Sequence, residues 1–119
     1  MTGNQLVAYL ALVTDTLDAV FKALADPTRR LLLDRLRERG GQRLLDLCEH
    51  LSMSRQAVSK HVTILEAAGL VHTMRRGRDK LHYLNPVPIN DIYLRWISHY
   101  QRAHLDALAT LKAALEETT

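Results

Sequence analysis

Apolar residues recur along this chain with helical spacing in five places and with strand-like alternation in one. Leu6, Leu10, Val13, Leu17, Val20 and Leu24 step by four and three residues alternately, the narrow seam of a helix that packs against another helix. Thr14-Asp15-Thr16 is a candidate break within it. Asp26-Pro27-Thr28 then opens a second helix, with Asp26 as cap and Pro27 at the first helical position, where its missing N–H costs nothing. That helix is expected to bury Leu32, Leu33 and Leu36 and to end near Arg39, at Gly40-Gly41.

Between Leu44 and Asn85 the pattern changes. Leu44, Leu47, Cys48 and Leu51 define one short helical face, and Val58, Val62 and Leu65 define another. Ser52-Met53-Ser54 joins them: Ser54 is placed to cap the second helix, and Met53 is expected to pack beneath the turn. Gly69 follows as a left-handed stop. Leu70 to Arg75 and Lys80 to Leu84 then read as short strands around Arg76-Gly77-Arg78-Asp79, a hairpin with glycine at its tip. Two short helices, a tight turn and a basic hairpin are the layout of a winged helix-turn-helix.

Asn85-Pro86-Val87-Pro88 interrupts the pattern, because two prolines remove backbone donors and restrict the residues before them. From Ile89 a single long helix is expected, with Ile89, Ile92, Tyr93, Trp96, Ile97, Tyr100, Ala107, Leu108, Leu111 and Leu115 on its apolar stripe. The fold class is therefore mainly α with a small β-hairpin. All 119 residues are read as a single domain. Segments 1–24 and 89–117 serve as dimerisation helices, and 44–85 as the helix-turn-helix plus wing. The first and last helices carry more apolar surface than so small a domain can cover, which predicts a homodimer through Leu6, Leu10, Val13, Leu17, Trp96, Tyr100, Leu108 and Leu111.

Charge sharpens the picture. The whole chain carries +3, yet residues 54–83 hold Arg55, Lys60, Arg75, Arg76, Arg78 and Lys80 against Glu66 and Asp79, a local +4. Such a stripe suits a polyanion, because each neutralised phosphate releases condensed counterions. The expected partner is double-stranded DNA. Ser54, Arg55, Gln56, Ser59, Lys60, His61 and Thr63 would present hydrogen-bonding groups to bases and phosphates, and Arg75, Arg76, Arg78 and Lys80 would reach the backbone or a minor groove. For His61, phosphate contact and packing at the motif's edge both remain open.

No apolar run approaches the roughly 18 to 20 residues of a membrane span, and Met1-Thr2-Gly3-Asn4 lacks a secretory signal's basic start, so a cytoplasmic protein is expected. A lone cysteine, Cys48, leaves no internal disulfide framework. On a leucine-bearing face it reads as a small hydrophobe rather than a redox trigger. His72 and His82, equidistant from Gly77, could face each other across the hairpin, but solvated histidines are the plainer reading. Tyr93, Trp96 and Tyr100 read as interface rather than a ligand pocket. No phosphate loop, nucleophile elbow or paired-cysteine motif is present, so neither an enzyme nor a cofactor is expected. The competing readings are a winged helix used for protein contact and a metal- or redox-responsive repressor.

With Phe21 to Arg30, Ser54 to Val62, Leu65 to Val71, Arg76-Gly77-Arg78 and Tyr83-Leu84 in that order, the chain resembles the ArsR/SmtB family of bacterial winged-helix repressors over roughly residues 17 to 111. The resemblance implies a dimer of the first and last helices, a recognition helix from about Ser54 to Ala68, base contacts from Arg55, Gln56, Ser59 and Lys60, and repression by occluding a promoter. The family's metal ligands do not carry over. Its Cys-x-Cys pair falls on Arg43 and Leu45, and of its second ligand set Asp91 and His104 remain while Tyr93 and Ala107 replace the others. No metal is expected, and the effector stays unassigned.

Overall fold

A computed structural model of the chain describes residues 3–117, and for residues 9–15 the backbone alone. The elements are α1 (Gly3–Leu24), α2 (Pro27–Glu38), α3 (Leu44–Cys48), α4 (Arg55–Ala67), β1 (Val71–Arg76), β2 (Asp79–Leu84), α5 (Val87–Trp96) and α6 (Arg102–Glu117). They divide into two compact units, one running through Pro88 and one from Ile89 onward.

The first unit is built around the predicted stripes. Val20, Ala23, Leu32, Leu33, Leu36, Leu47, Val58, Val62, Leu65, Leu70 and Val71 are all buried in its core. Asp26 caps α2 by accepting a hydrogen bond from the Arg29 amide at 3.1 Å, with Pro27 at the first helical position. α1 runs without interruption through Thr14, Asp15 and Thr16, so the candidate break there does not occur.

α4 ends in a Schellman motif: the Leu70 amide donates to the Leu65 carbonyl at 3.0 Å and the Gly69 amide to that of Glu66 at 3.0 Å. Gly69 takes φ +78°, a conformation that costs a side chain about 1 kcal/mol or more. The chain then turns into the antiparallel β1–β2 hairpin, whose register pairs Val71 with Leu84 and Arg76 with Asp79. Its loop is two residues, Gly77 and Arg78. Gly77 at φ +64° supplies the positive φ that a tight hairpin of this twist needs at its first central position.

That register corrects the histidine expectation. His72 lies opposite Tyr83 and His82 opposite Thr73, so the two histidines occupy opposite faces of the ribbon. His72 is exposed and stacks on Tyr83 at 5.3 Å, whereas His82 is buried. Counting from Gly77 put the pair in register, but the true centre lies between Gly77 and Arg78. Met53 also differs: it is exposed and does not pack beneath the turn.

The last stripe forms two helices, not one, and starts at Val87 rather than Ile89. Asn85 accepts the Val87 amide at 3.2 Å and so opens α5 two residues early. At the far end the Ile97 and Ser98 amides both point to the Tyr93 carbonyl, while the Ser98 hydroxyl donates to the Leu94 carbonyl at 2.8 Å. The Ser98 amide thus reaches back five residues instead of four, and the α-helical ladder ends there. No helix among the described residues is long and apolar enough to cross a membrane.

Candidate nucleic-acid interface

The site is built on α3, the turn, α4 and the hairpin. Ser54, extended at φ −66° and ψ 154°, accepts the Ala57 amide on its hydroxyl at 3.1 Å and so starts α4. Its predicted contact with DNA therefore competes with a structural duty. With Val58, Val62 and Leu65 turned inward, helical geometry turns Arg55, Gln56, Lys60 and Thr63 outward, and all four are exposed. Ser59 is half-buried. The Thr63 hydroxyl donates back to the Ser59 carbonyl at 2.9 Å, which leaves its oxygen able to accept.

His61 lies on another side of α4. Half-buried, its Nδ1 stands 3.3 Å from Arg29 Nη1, and since a guanidinium only donates, that nitrogen is the acceptor. Arg29 also donates to the carbonyls of Ala23 at 2.7 Å and Lys22 at 2.9 Å. One side chain thus joins the end of α1 to α4. The bond from the Arg29 amide, reinforced by the Arg29 charge, holds the Asp26 carboxyl below its ordinary range.

In the hairpin Arg75, Arg76, Arg78 and Lys80 are all exposed. Lys80 Nζ lies 3.6 Å from Glu66 of α4, and His82 Nε2 lies 3.8 Å from the same carboxylate oxygen. Wing and helix are further fixed from behind. Gln42 pairs with His82 in an isolated antiparallel bridge, the His82 amide donating to the Gln42 carbonyl at 2.8 Å. The His82 ring uses that same carbonyl through Nδ1 at 2.8 Å, and a carbonyl can only accept, so Nδ1 carries the hydrogen.

Between α3, α4 and the hairpin lies a cleft of about 410 Å³, lined by residues that include Arg43, Arg55, Ser59, Thr63, Arg78 and Lys80. Five of the eleven predicted DNA-facing residues meet there: Arg55, Ser59, Thr63, Arg78 and Lys80. Gln56, Lys60, Arg75 and Arg76 stand outside its lining, as do Ser54 and His61.

Three supporting residues escaped the sequence reading. Gln42 is buried, its amide donating to the Arg35 carbonyl at 3.0 Å and to that of Arg39 at 2.7 Å. Arg35 ties the end of α3 to α2 by donating to the Leu47 carbonyl at 3.1 Å. Arg43, the residue before α3, grips Asp46 with a guanidinium fork, and this holds the Asp46 carboxyl at about 2. A basic and an acidic residue three apart at a helix start was the available signal for the last pair. Buried glutamine and carbonyl-capping arginine leave no such trace.

Among the described residues, no three of His, Cys, Asp and Glu come together in a group that could hold a metal ion. Cys48 is half-buried. Of the predicted interface residues in the first and last helices, Leu6, Trp96, Tyr100, Leu108 and Leu111 are exposed and Leu17 is half-buried. The side chains of Leu10 and Val13 lie outside the described residues.

A family profile described as a helix-turn-helix domain matches residues 24–73. The chain is 43% identical to the Bacillus subtilis protein YuzN, an uncharacterized HTH-type transcriptional regulator, over 67% of this chain and 94% of that one. It is 35% identical to the transcriptional repressor SdpR of the same organism, over 68% of this chain and 88% of SdpR. Among solved structures, an ArsR-like transcriptional regulator from Rhodococcus superposes with a TM-score of 0.65 at 27% identity, covering 89% of this chain and 93% of that one.

Proposed function

The chain belongs to the ArsR/SmtB family of winged helix-turn-helix transcriptional regulators, and from that premise we propose that it represses transcription by binding a palindromic DNA operator as a homodimer in the cytoplasm. The observation that carries this reading is the division of α4: Val58, Val62 and Leu65 are buried, while Arg55, Gln56 and Lys60 are exposed beside the cationic hairpin. Arg55 and Gln56, in the first turn of α4, are the base-reading residues, since both offer paired groups that match guanine and adenine edges in the major groove. Ser59, Lys60 and Thr63 support them, and Arg75, Arg76, Arg78 and Lys80 engage phosphates. Ser54 and His61 touch the duplex at the margin, because each already has a partner within the chain.

Dimerisation uses α1 with α5 and α6. Leu6, Trp96, Tyr100, Leu108 and Leu111 are each about half exposed, apolar side chains that a second copy would cover, and in the sequence Leu10, Val13 and Leu17 share the helical spacing of Leu6. Two-fold symmetry then sets two reading helices against half-sites roughly 34 Å or a multiple of that apart.

Fluorescence anisotropy against the protein's own upstream region and a scrambled duplex, across a salt series, tests the reading. Arg55→Ala or Gln56→Ala should lower the preference for the operator by about 1 to 3 kcal/mol. Arg76→Ala or Arg78→Ala should weaken both duplexes alike and flatten the salt dependence. Equal affinity of the unaltered protein for operator and scrambled DNA at every salt concentration would remove the proposal.

A further inference from the structure

We propose that Arg43 is an additional phosphate contact of the DNA interface and that Asp46 is the positioning residue that presets it, an inference that rests on the duplex-binding reading above. Arg43 belongs neither to the reading helix nor to the hairpin. Its guanidinium nevertheless lines the same cleft as Arg55 and Ser59 of α4 and Arg78 and Lys80 of the hairpin. The cleft's four cations, Arg43, Arg55, Arg78 and Lys80, face two carboxylates, Glu66 and Asp79, and with Asp46, which pairs with Arg43 at 3.0 Å, the balance is still one positive charge. The surplus positive charge is what an anionic strand passing between helix and wing would meet.

The geometry of Arg43 suits that duty. Nε donates to Asp46 Oδ2 at 3.2 Å, Nη2 donates to Oδ1 at 3.0 Å, and the Arg43 amide also donates to Oδ2, at 3.0 Å. The Asp46 side chain is 19% exposed and that of Arg43 48%. The carboxylate is thus the more covered partner, while about half of the arginine side chain faces solvent, and among the described residues Nη1 makes no hydrogen bond. A long arginine loses rotamer freedom when it binds a phosphate, and a fork already made removes part of that cost. The plainer account is that the fork only caps α3.

The two accounts give Asp46 opposite signs. As a bare negative charge near DNA it repels the duplex, so Asp46→Asn would tighten binding. As a positioning residue it holds Arg43 in place, so Asp46→Asn weakens binding although it removes a repulsive charge.

The full chain is titrated by anisotropy with operator and scrambled duplexes over a salt series, and thermal melting checks that each variant folds. Arg43→Ala is expected to weaken both duplexes by the same factor, about tenfold, and to lower the slope of log affinity on log salt by about one. Arg43→Lys keeps the charge but not the fork, and should retain the slope while recovering part of the affinity. Where Arg43→Ala fails to fold, Arg43→Lys and Asp46→Asn decide. Tighter binding by Asp46→Asn, full affinity in Arg43→Lys, or an unchanged salt slope in folded Arg43→Ala overturns the proposal while leaving the duplex-binding reading intact. A wild-type protein without preference for the operator overturns both.

Discussion

Val62 and Leu111 both lie on the apolar stripe of an amphipathic helix, yet Val62 is 3% exposed and Leu111 is 56% exposed. α4 is packed by α1, α2 and α3 and buries all three of its stripe residues, whereas neither α5 nor α6 buries any residue. Helical period alone does not separate these cases, since both sequences specify a helix with one apolar side. What differs is where the complementary surface is encoded. For α4 it is written elsewhere in the same chain, and for α6 the proposed dimer places it in a second copy.

The contrast can be tested hardest at Leu65. That side chain is fully buried, so Leu65→Ala should cost about 2 to 5 kcal/mol in urea unfolding, through lost transfer energy and a residual cavity. A cost no larger than that of a surface change would mean that α4 is not held as the packing implies. The next largest effect belongs to the other side of the comparison. Replacing Leu108 and Leu111 together by alanine should weaken self-association at least tenfold in sedimentation equilibrium, about 1.4 kcal/mol or more, and lower the melting temperature most at low protein concentration. Unchanged association would show that these leucines face solvent in the working protein, and the two regions would then differ in solvation alone.

The smallest effect sharpens the contrast rather than testing it. Because the Arg43 fork lowers the Asp46 carboxyl from 3.8 to about 2, its stabilising contribution is present above the unfolded value and is lost as pH falls through the folded one. Between roughly pH 4 and pH 2 the stability advantage of the wild type over Asp46→Asn should therefore shrink to nothing. The pair lies at the surface, with Arg43 half exposed and screened by solvent, so the difference is small. Trp96, the single tryptophan, lies in α5 and monitors the other region, and its emission should be the same in both proteins over this range. A difference that persists at pH 2 would assign the effect to α3 capping instead.

Much of this architecture was legible in the residues because it is written in local chemistry. Asp26-Pro27, Ser54 and Gly69 mark helix ends through bonds that span only a few residues, and the structure shows each of them. The exposed face of α4 follows from the same periodicity that buries Val58 and Val62. Features that depend on distant partners were not legible. Gln42 meets His82 forty residues away, and Arg29 meets His61 thirty-two residues away. The division of the last stripe was missed for a different reason: the apolar spacing runs on through Ile97 and Tyr100, and the break shows only in the backbone, where the Ile97 and Ser98 amides share the Tyr93 carbonyl.

The side chains of Arg55, Gln56 and Lys60 make no hydrogen bond or ion pair with the rest of the described chain, while the opposite side of α4 carries the packing. Substitutions at such exposed positions ordinarily change stability by no more than about 0.5 kcal/mol. On the proposed reading, a duplicated copy of this gene can therefore drift toward a new operator one side chain at a time, with every intermediate still folded. The helix works like a typeface on a fixed block, whose letters change without recasting the metal beneath.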